Sequence, residues 1–288
     1  MPIIETKDLT YTYGEDTPFC KVAVKNVNIS IEQGEMIGLI GHTGSGKSTF
    51  IQQLNGLLRP TSGTVLLNGK DIWEQPKKIR SVRFQVGMVF QYPEHQLFEE
   101  TVLKDISFGP GNMGLNKTEI LERAHAAAKF VGLNEDLLQK SPFELSGGEK
   151  RRAAIAGVIA MDPDVLILDE PTAGLDPRGR DVLLSQIAGY HATRHNTVIL
   201  VSHSMEDIAR MAERVLVMNA GEVEMFDTAE RVFARDTELE KIGLRVPQIT
   251  KIMSVLKSKG YPVHTVLTVE QALRQLMPLL GKGGKNNG

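Results

Sequence analysis

The sequence predicts an α/β fold. A parallel-sheet core carries an antiparallel β section beside it, a helical insertion within it and a small helical domain after it. Three observations lead there. Apolar runs at 36–40, 165–168 and 198–201 are continuous rather than alternating, which marks strands buried on both faces. Helical periodicity at 49–58, 178–191 and 205–212 lies around them, so helices cover a mainly parallel sheet. The segment 7–31 instead alternates and is rich in β-formers, and 64–68 runs into the turn signal Asn68-Gly69. Both favour antiparallel pairing.

The other elements follow in chain order. Residues 101–144 read as mostly helical, with breaks expected at Gly109-Pro110-Gly111 and at Ser141-Pro142. They form an insertion between core strands that runs to about residue 160. The pattern changes after Phe226, and 228–234, 239–242, 248–259 and 269–280 read as separate helices. The expected division is a main domain over 1–227, a helical domain over 228–280 and a disordered Gly/Lys/Asn tail over 281–288.

Composition narrows the function classes. A chain of 288 residues holds one large domain, or one with an appendage. Hydrophobic residues at 41% and charged residues at 24% suit a soluble globular protein. Lys and Arg total 33 against 35 Asp and Glu, for a net charge of -2. That balance argues against sequence-independent nucleic-acid binding, which needs a basic face. The single cysteine, Cys20, excludes an intrachain disulfide and fits a reducing cytoplasm. Apolar runs fall far short of the ~20 residues of a spanning helix. The N-terminus lacks the pattern of a signal peptide. A membrane role is therefore expected to come through a partner.

The segment Gly41-His42-Thr43-Gly44-Ser45-Gly46-Lys47-Ser48 matches G-x-x-x-x-G-K-[ST] between a buried strand and a helix. Its glycines let backbone N–H groups converge on an oxyanion, and the helix N-terminus adds positive potential. Lys47 is expected to reach the β- and γ-phosphates of a nucleotide, and Ser48 to ligate Mg²⁺. The run 165–168 ends in Asp169, a second Mg²⁺ candidate, and Glu170 follows at once. Successive strand residues point to opposite sides. The two carboxylates are thus expected to divide tasks, one facing metal and one facing an attacking water. His203 follows the run 198–201, at the strand end where open α/β sheets place ligands. An imidazole there can donate to a γ-phosphate oxygen. The other histidine side chains read as structural or solvated.

The segment Leu145-Ser146-Gly147-Gly148-Glu149 resembles the signature of ATP-binding cassette (ABC) ATPases, with Glu149 where the family usually has Gln. Further family motifs occur in order. Tyr13 resembles the aromatic that stacks on adenine, with Tyr11 as the alternative, and Gln91 resembles the Q-loop glutamine at Mg²⁺ and water. Asp176, in Ala173-Gly174-Leu175-Asp176, resembles the D-loop aspartate, and His203 the switch histidine. The resemblance spans about residues 3 to 227 and extends the nucleotide contacts to Thr49. The wording Tyr92-Pro93-Glu94-His95-Gln96-Leu97-Phe98 is similar to energy-coupling factor (ECF) transporter ATPases, and most like the second of their two paralogues.

This resemblance implies a P-loop ABC cassette that uses ATP and Mg²⁺. Two subunits would sandwich ATP between one phosphate loop and the other's signature, with Glu170, His203 and Gln91 acting at the γ-phosphate. The implied partners are a paralogous second ATPase, a transmembrane scaffold (T component) and substrate-binding membrane subunits (S components). The C-terminal helices would help the ATPases pair. The implied place is the cytoplasmic face of a prokaryotic membrane, and the implied cargo is vitamins or transition-metal ions. The loop from Gln91 to Phe108 would receive a coupling helix, with Leu97, Phe98 and Val102 as apolar contacts. An ordinary ABC importer or exporter is the alternative, and a non-transport ABC ATPase a more distant one.

Overall fold

A computed structural model describes residues 2–283 of the chain. The antiparallel sheet has the order β2-β1-β4-β5, built from β1 (Pro2–Tyr13), β2 (Lys21–Glu32), β4 (Ser62–Leu67) and β5 (Lys70–Asp71). Asn68 and Gly69 turn β4 into β5 with φ of 51° and 75°, the left-handed pair that suits a tight hairpin. The larger sheet has the order β10-β9-β3-β8-β7-β6. Its strands are β3 (Met36–Ile40), β6 (Val86–Val89), β7 (Val165–Asp169), β8 (Thr197–Val201), β9 (Arg214–Asn219) and β10 (Glu222–Thr228). All its pairings are parallel except the β9–β10 hairpin at one edge.

The three continuous apolar runs become β3, β7 and β8, adjacent in the sheet and buried at every position. Their residues alternate between two cores. Ile37, Leu39, Ile167, Ile199 and Val201 face the antiparallel sheet, joined there by Phe50, Ile51 and Leu54 of α1 (Lys47–Leu54). Met36, Ile40, Leu166, Leu168, Val198 and Leu200 face the helical side. Each face excludes water, so neither strand face can be polar, which is why these runs do not alternate.

α1 begins at Lys47 and stops at Leu54, whereas helical periodicity suggested 49–58. The chain leaves the phosphate loop already helical at Lys47, and Gly56 at φ 70° turns it away after Asn55. α2 (Ile79–Gln85) leads into β6. The insertion comprises α3 (Val102–Asn112), α4 (Lys117–Phe130), α5 (Glu135–Leu138) and α6 (Gly147–Ile159). The break expected at Gly109-Pro110-Gly111 does not occur: α3 runs through it to Asn112. Pro110 sits buried near the end of α3, where it removes the bond to the Ile106 carbonyl, a local loss that does not end the helix. Gly109 serves close approach instead. A Cβ there would lie 2.7 Å from Met161 Cγ and 3.1 Å from the Gly157 carbonyl, so α3 and α6 cross nearly backbone to backbone. The second expected break is present, as a 3-10 turn over Pro142–Glu144 capped by Ser141.

α7 (Pro177–Arg194) and α8 (Met205–Met211) cover the helical face of the sheet. Beyond β10 come α9 (Ala229–Phe233), α10 (Asp236–Lys241), α11 (Gln248–Ser258) and α12 (Val269–Gly283). The division expected at residue 228 falls elsewhere in the packing. Ala229, Val232, Phe233, Leu239, Leu244 and Val246 belong to the main helical-side core. A separate small cluster holds Met253, Val263, Val266 and Ala272. α9 and α10 thus pack with the main core, whereas α11 and α12 share the small cluster, with Leu267 between them still on the main core. The helix α12 also reaches Gly283, inside the tail expected over 281–288; residues 284–288 lie outside the described ones. Among the described residues no helix is long and apolar enough to cross a membrane.

Filling the α3–α6 crossing should force the helices apart. Gly109→Val is expected to destabilise the protein by about 1–3 kcal/mol, read as a lowered midpoint in urea denaturation, while Gly111→Ala, where a Cβ meets nothing within 4 Å, leaves the midpoint nearly unchanged.

Candidate nucleotide site

The parallel strands β3, β8 and β7 end side by side, and the loops that leave them meet in one cleft of about 280 Å³. Tyr13, Lys21, Ala23, Thr43, Gly44, Gly46, Lys47, Ser48, Thr49, Gln91, Asp169, Glu170 and His203 line it. The loop after β3 curls tightly: Ser45 N–H donates to the His42 carbonyl at 3.1 Å, and Gly46 caps α1 with φ 100°. A Cβ at Gly46 would lie 2.3 Å from the Ala23 carbonyl, so only glycine fits between loop and β2. Gly41 and the buried Ser45 do not line the cleft; a Cβ at Gly41 would lie 2.5 Å from Ser45 Oγ and 2.4 Å from the Met218 carbonyl. His42 places its ring on the Thr43 carbonyl and Asn219 Oδ1, at 2.8 and 3.1 Å.

Lys47 is only 7% exposed. Its ammonium donates to the Gly41 and His42 carbonyls at 2.6 and 3.1 Å. Burial lowers its pKa from the ordinary lysine value, while the Glu170 and Asp169 charges oppose that shift. Ser48 Oγ lies 3.5 Å from Asp169 Oδ2. Burial raises the Asp169 pKa against the pull of Lys47 and the Ser48 hydroxyl. Serine hydroxyl, carboxylate and the amide oxygen of Gln91 are hard oxygen donors of the kind Mg²⁺ takes. Among the described residues no group of three or more His, Cys, Asp or Glu forms a metal site by itself. This donor set therefore suits an ion that completes its shell with phosphate and water oxygens.

Glu170 departs from expectation. Strand alternation would send its side chain away from that of Asp169, yet both line the same cleft. β7 ends at Asp169, and Glu170 adopts φ 51°, a left-handed kink that swings its carboxylate back. Its N–H donates to the Val201 carbonyl at 3.0 Å, which holds the kink against β8. Oε1 is buried without a hydrogen-bond partner and lies 3.5 Å from His203 Nε2, beyond good hydrogen-bond geometry. Burial pushes the Glu170 pKa up to about 7, with the His203 backbone amide opposing and Asp169 reinforcing. Burial and the Lys47 charge lower the His203 pKa from the ordinary histidine value, which favours the neutral imidazole.

Tyr13 faces the cleft with its hydroxyl 3.1 Å from Thr49 Oγ1. Tyr11 packs on the inter-sheet core instead, with its ring centroid 4.8 Å from that of Tyr13 and nearly perpendicular. Lys21 and Ala23 have no sequence motif. They reach the cleft because β2 pairs with β1 and sets Lys21 opposite Tyr13.

The remaining motif residues lie apart. Ser146, Gly147, Gly148 and Asp176 line a second cleft of about 400 Å³ that shares no residue with the first. Ser146 caps α6 in a reciprocal arrangement with Glu149, whose Oε2 accepts from the Ser146 N–H at 2.8 Å and hydroxyl at 2.6 Å. Glutamate at this position therefore keeps the cap that glutamine would make. Leu145 is buried beneath it in the helical core. Asp176 caps α7 through the Gly179 N–H at 2.8 Å. A Cβ at Gly147 would meet nothing within 4 Å, and one at Gly148 only Arg152 Nη1 at 3.6 Å. The packing of the chain itself does not require glycine at either position.

Two buried charges without a sequence motif grip the segment after Glu170. Asp207 on α8 accepts from the Thr172 hydroxyl at 3.2 Å and from Arg180 at 2.8 Å, and Arg180 also reaches Ser204. Arg151 on α6 pairs with Glu94 and donates to the carbonyls of Pro171 and Ala173. Of the apolar residues expected at a membrane-partner groove, Val102 is fully buried at the start of α3, a core residue. Leu97 is partly buried against the same core, while Phe98 is 61% exposed with its ring centroid 5.0 Å from that of Phe108.

The fold and this cleft describe a phosphate-loop ATPase of the cassette type, and comparison with known proteins agrees. The family model for ABC transporters matches residues 24–173. The dimeric ATP-binding cassette MJ0796, solved in a post-hydrolysis state with ADP and Pi, superposes with a TM-score of 0.70 at 28% identity, over 78% of this chain and 98% of that one. The chain belongs to the ABC transporter ATPases.

Its relatives narrow the family. The energy-coupling factor transporter ATP-binding protein EcfA2 of Caldanaerobacter subterraneus is 52% identical over 287 residues, 99% of this chain and 100% of that one. The EcfA2 of Clostridium perfringens is 52% identical over 279 residues, 96% and 98% of the two chains. The structure of cbiO1 from Clostridium perfringens, part of the ABC transporter complex cbiONQ, has a TM-score of 0.74 at 38% identity, covering 88% and 99%. Within the ABC ATPases the chain belongs with the ATP-binding proteins of ECF transporters.

The raised Glu170 pKa has a consequence for stability. The folded protein holds this proton up to about pH 7, whereas a free glutamate releases it near 4.5. Its stabilising contribution is complete below the unfolded value and is lost as pH rises through the folded one. Glu170→Gln should therefore stabilise the nucleotide-free protein at pH 8 by an amount on the order of 1–3 kcal/mol, read as a higher thermal midpoint, and the gain should fade by pH 5.

Proposed function

We propose that this chain is the ATP-hydrolysing subunit of an ECF-type importer and works as one of two cassettes, paired with a paralogue. The observation that carries this is the division of motifs on one chain. The phosphate loop, Asp169, Glu170 and His203 share one cleft, and the signature residues line another. A γ-phosphate in the first cleft meets Lys47 and the loop amides on one side only. The Ser146 hydroxyl and the amides at the start of α6 are donors suited to its other side, supplied by a second subunit. The space around Gly147 and Gly148 leaves room for that close approach. ATP then favours the closed pair, and its cleavage removes the differential affinity.

In this reading the adenine stacks on Tyr13. Lys47 and the amides from Gly44 to Thr49 hold the phosphates. Ser48, Asp169 and Gln91 would hold Mg²⁺, which would supply neutralisation of phosphate charge. Glu170 accepts a proton from, or orients, the attacking water. A carboxylate with a pKa of about 7 is well matched to that task near neutral pH. His203 presents a neutral ring beside it and donates to the γ-phosphate. Asp176 orders the start of α7 at the partner interface.

The exposed rings of Phe98 and Phe108, beside the ion pair of Glu100 with Lys104, form the surface offered to a coupling helix of the transmembrane scaffold. Leu97 supports it from beneath, and Val102 does not take part. The amphipathic helices α11 and α12 leave Ile252, Val255, Leu273 and Met277 exposed. That apolar surface suits pairing of the two ATPases. Vitamins or transition-metal ions are the cargo class, chosen by separate membrane subunits, and the chain sits on the cytoplasmic face.

Purification from native membranes in mild detergent tests the assembly. A second cassette ATPase, one scaffold and small binding subunits are expected, whereas a single dedicated permease pair would assign the chain to an ordinary ABC transporter. Phe98→Asp should deplete the scaffold from that preparation without lowering ATP affinity. Glu170→Gln should retain ATP binding yet lose turnover by about 100-fold or more. Wild-type kcat/KM for ATP should climb through pH 7 as the carboxylate of the free enzyme ionises. Lys47→Ala should weaken binding and turnover together, as measured by nucleotide titration and phosphate release.

A further inference from the structure

We infer that Arg151 is a positioning residue for hydrolysis: it ties the segment after Gln91 to the segment after Glu170, so that a displacement of the first is carried to the second. Arg151 is on α6 and is only 4% exposed. On one edge of its guanidinium, Nε and Nη2 donate to the Glu94 carboxylate at 3.1 and 2.7 Å. On the other, Nη1 donates to the Pro171 carbonyl at 3.2 Å and to that of Ala173. Only a planar fork serves a carboxylate and two carbonyls at once; an ammonium on a flexible stem does not.

The three segments joined here have different duties. Glu94 lies in the 3-10 turn Pro93–Gln96, which follows Gln91 and leads to the exposed Phe98. The amides of Phe98 and Glu99 are in turn caught by the Asp105 carboxylate of α3, each at 3.2 Å. α6 begins with the signature residues. Pro171 and Ala173 follow the kinked Glu170. A buried guanidinium separated from its carboxylate would be left unpaired at low dielectric, so it must follow Glu94 when that turn moves. In following, it pulls on carbonyls one and three residues beyond Glu170. Thr172 between them is held from the other side by Asp207 at 3.2 Å. The segment has two grips, and a change in one re-aims the carboxylate. Arg151 and Glu94 line the signature cleft and not the phosphate-loop cleft, but the Arg151 nitrogens are engaged with Glu94, Pro171 and Ala173 within the chain, so its effect falls on the chemical step rather than on ATP affinity. The inference rests on Glu170 handling the attacking water.

The test uses the assembled transporter in detergent and measures kcat and KM for ATP. The variants are Arg151→Lys, Arg151→Met, Glu94→Gln and the Glu94→Gln/Arg151→Met double. Each single change is expected to lower kcat about tenfold or more with KM within about threefold, and the double to be no slower than the slower single. Arg151→Lys keeps the charge, and Glu94→Gln keeps the shape, so either decides the question if Arg151→Met fails to fold. A kcat within about twofold of wild type in those two, a KM that rises in step with the loss, or additive effects in the double would each overturn the inference. Glu170→Gln in the same assay separates the two readings. Retained turnover there defeats the assignment of Glu170. Lost turnover there with normal Arg151 and Glu94 variants defeats the clamp alone.

Discussion

The burial of one ammonium beside two carboxylates is the constraint on which the rest depends. Lys47, Asp169 and Glu170 meet where the parallel strands β3 and β7 end, with Lys47 and Asp169 buried and the Glu170 side chain nearly so. Burial lowers the lysine pKa and raises both carboxylates, Glu170 to about 7. Such an arrangement is costly to hold unless a substrate brings its own charge. A triphosphate with a divalent cation would do so, with the ammonium and loop amides suited to the phosphate oxygens and the carboxylate and Ser48 hydroxyl suited to the cation. The site is thereby poised for a ligand that carries both signs.

That constraint explains features distant from it. The sheet must be parallel and covered on both faces, since only then do consecutive strand ends face the same way and lie side by side. β2 must pass close behind the loop, which leaves no room for a side chain at Gly46. The kink at Glu170 needs support, and it comes from the Val201 carbonyl, from Asp207 through Thr172 and from Arg151 through Pro171 and Ala173. Those contacts reach α8, α6 and the turn after Gln91. The hydrolytic centre is therefore bonded to the surfaces where a second cassette and a membrane partner would press.

Much of this was legible in the chain. Phosphate-loop chemistry depends on local backbone shape, so a contiguous motif announces it, and the continuous apolar runs announced the buried strands. Elsewhere local patterns misled. Gly109-Pro110-Gly111 resembled a helix break, yet α3 continues because Gly109 answers to α6 and Pro110 removes only one bond near the helix end. Pleat alternation separated Asp169 from Glu170 on paper, and a left-handed φ of 51° brought them together. Val102 shares a short apolar stretch with Leu97 and Phe98, which lie before the helix, but as the first residue of α3 it points inward. The change in pattern after Phe226 suggested a boundary, while Phe233 and Leu239 pack back onto the main core.

The sequence by itself determined the fold class, the identity of the phosphate-binding loop, and the strand-end carboxylates and histidine. Each of these is written in residues adjacent along the chain, where spacing and backbone geometry are the same thing. Only the tertiary structure decided which charges are buried together, how Glu170 is aimed, that Lys21 stands opposite Tyr13, and that Glu94 and Arg151 form one clamp. Those relations join positions far apart in the chain. Burial, and hence pKa and the strength of an ion pair, is a property of what surrounds a group in space.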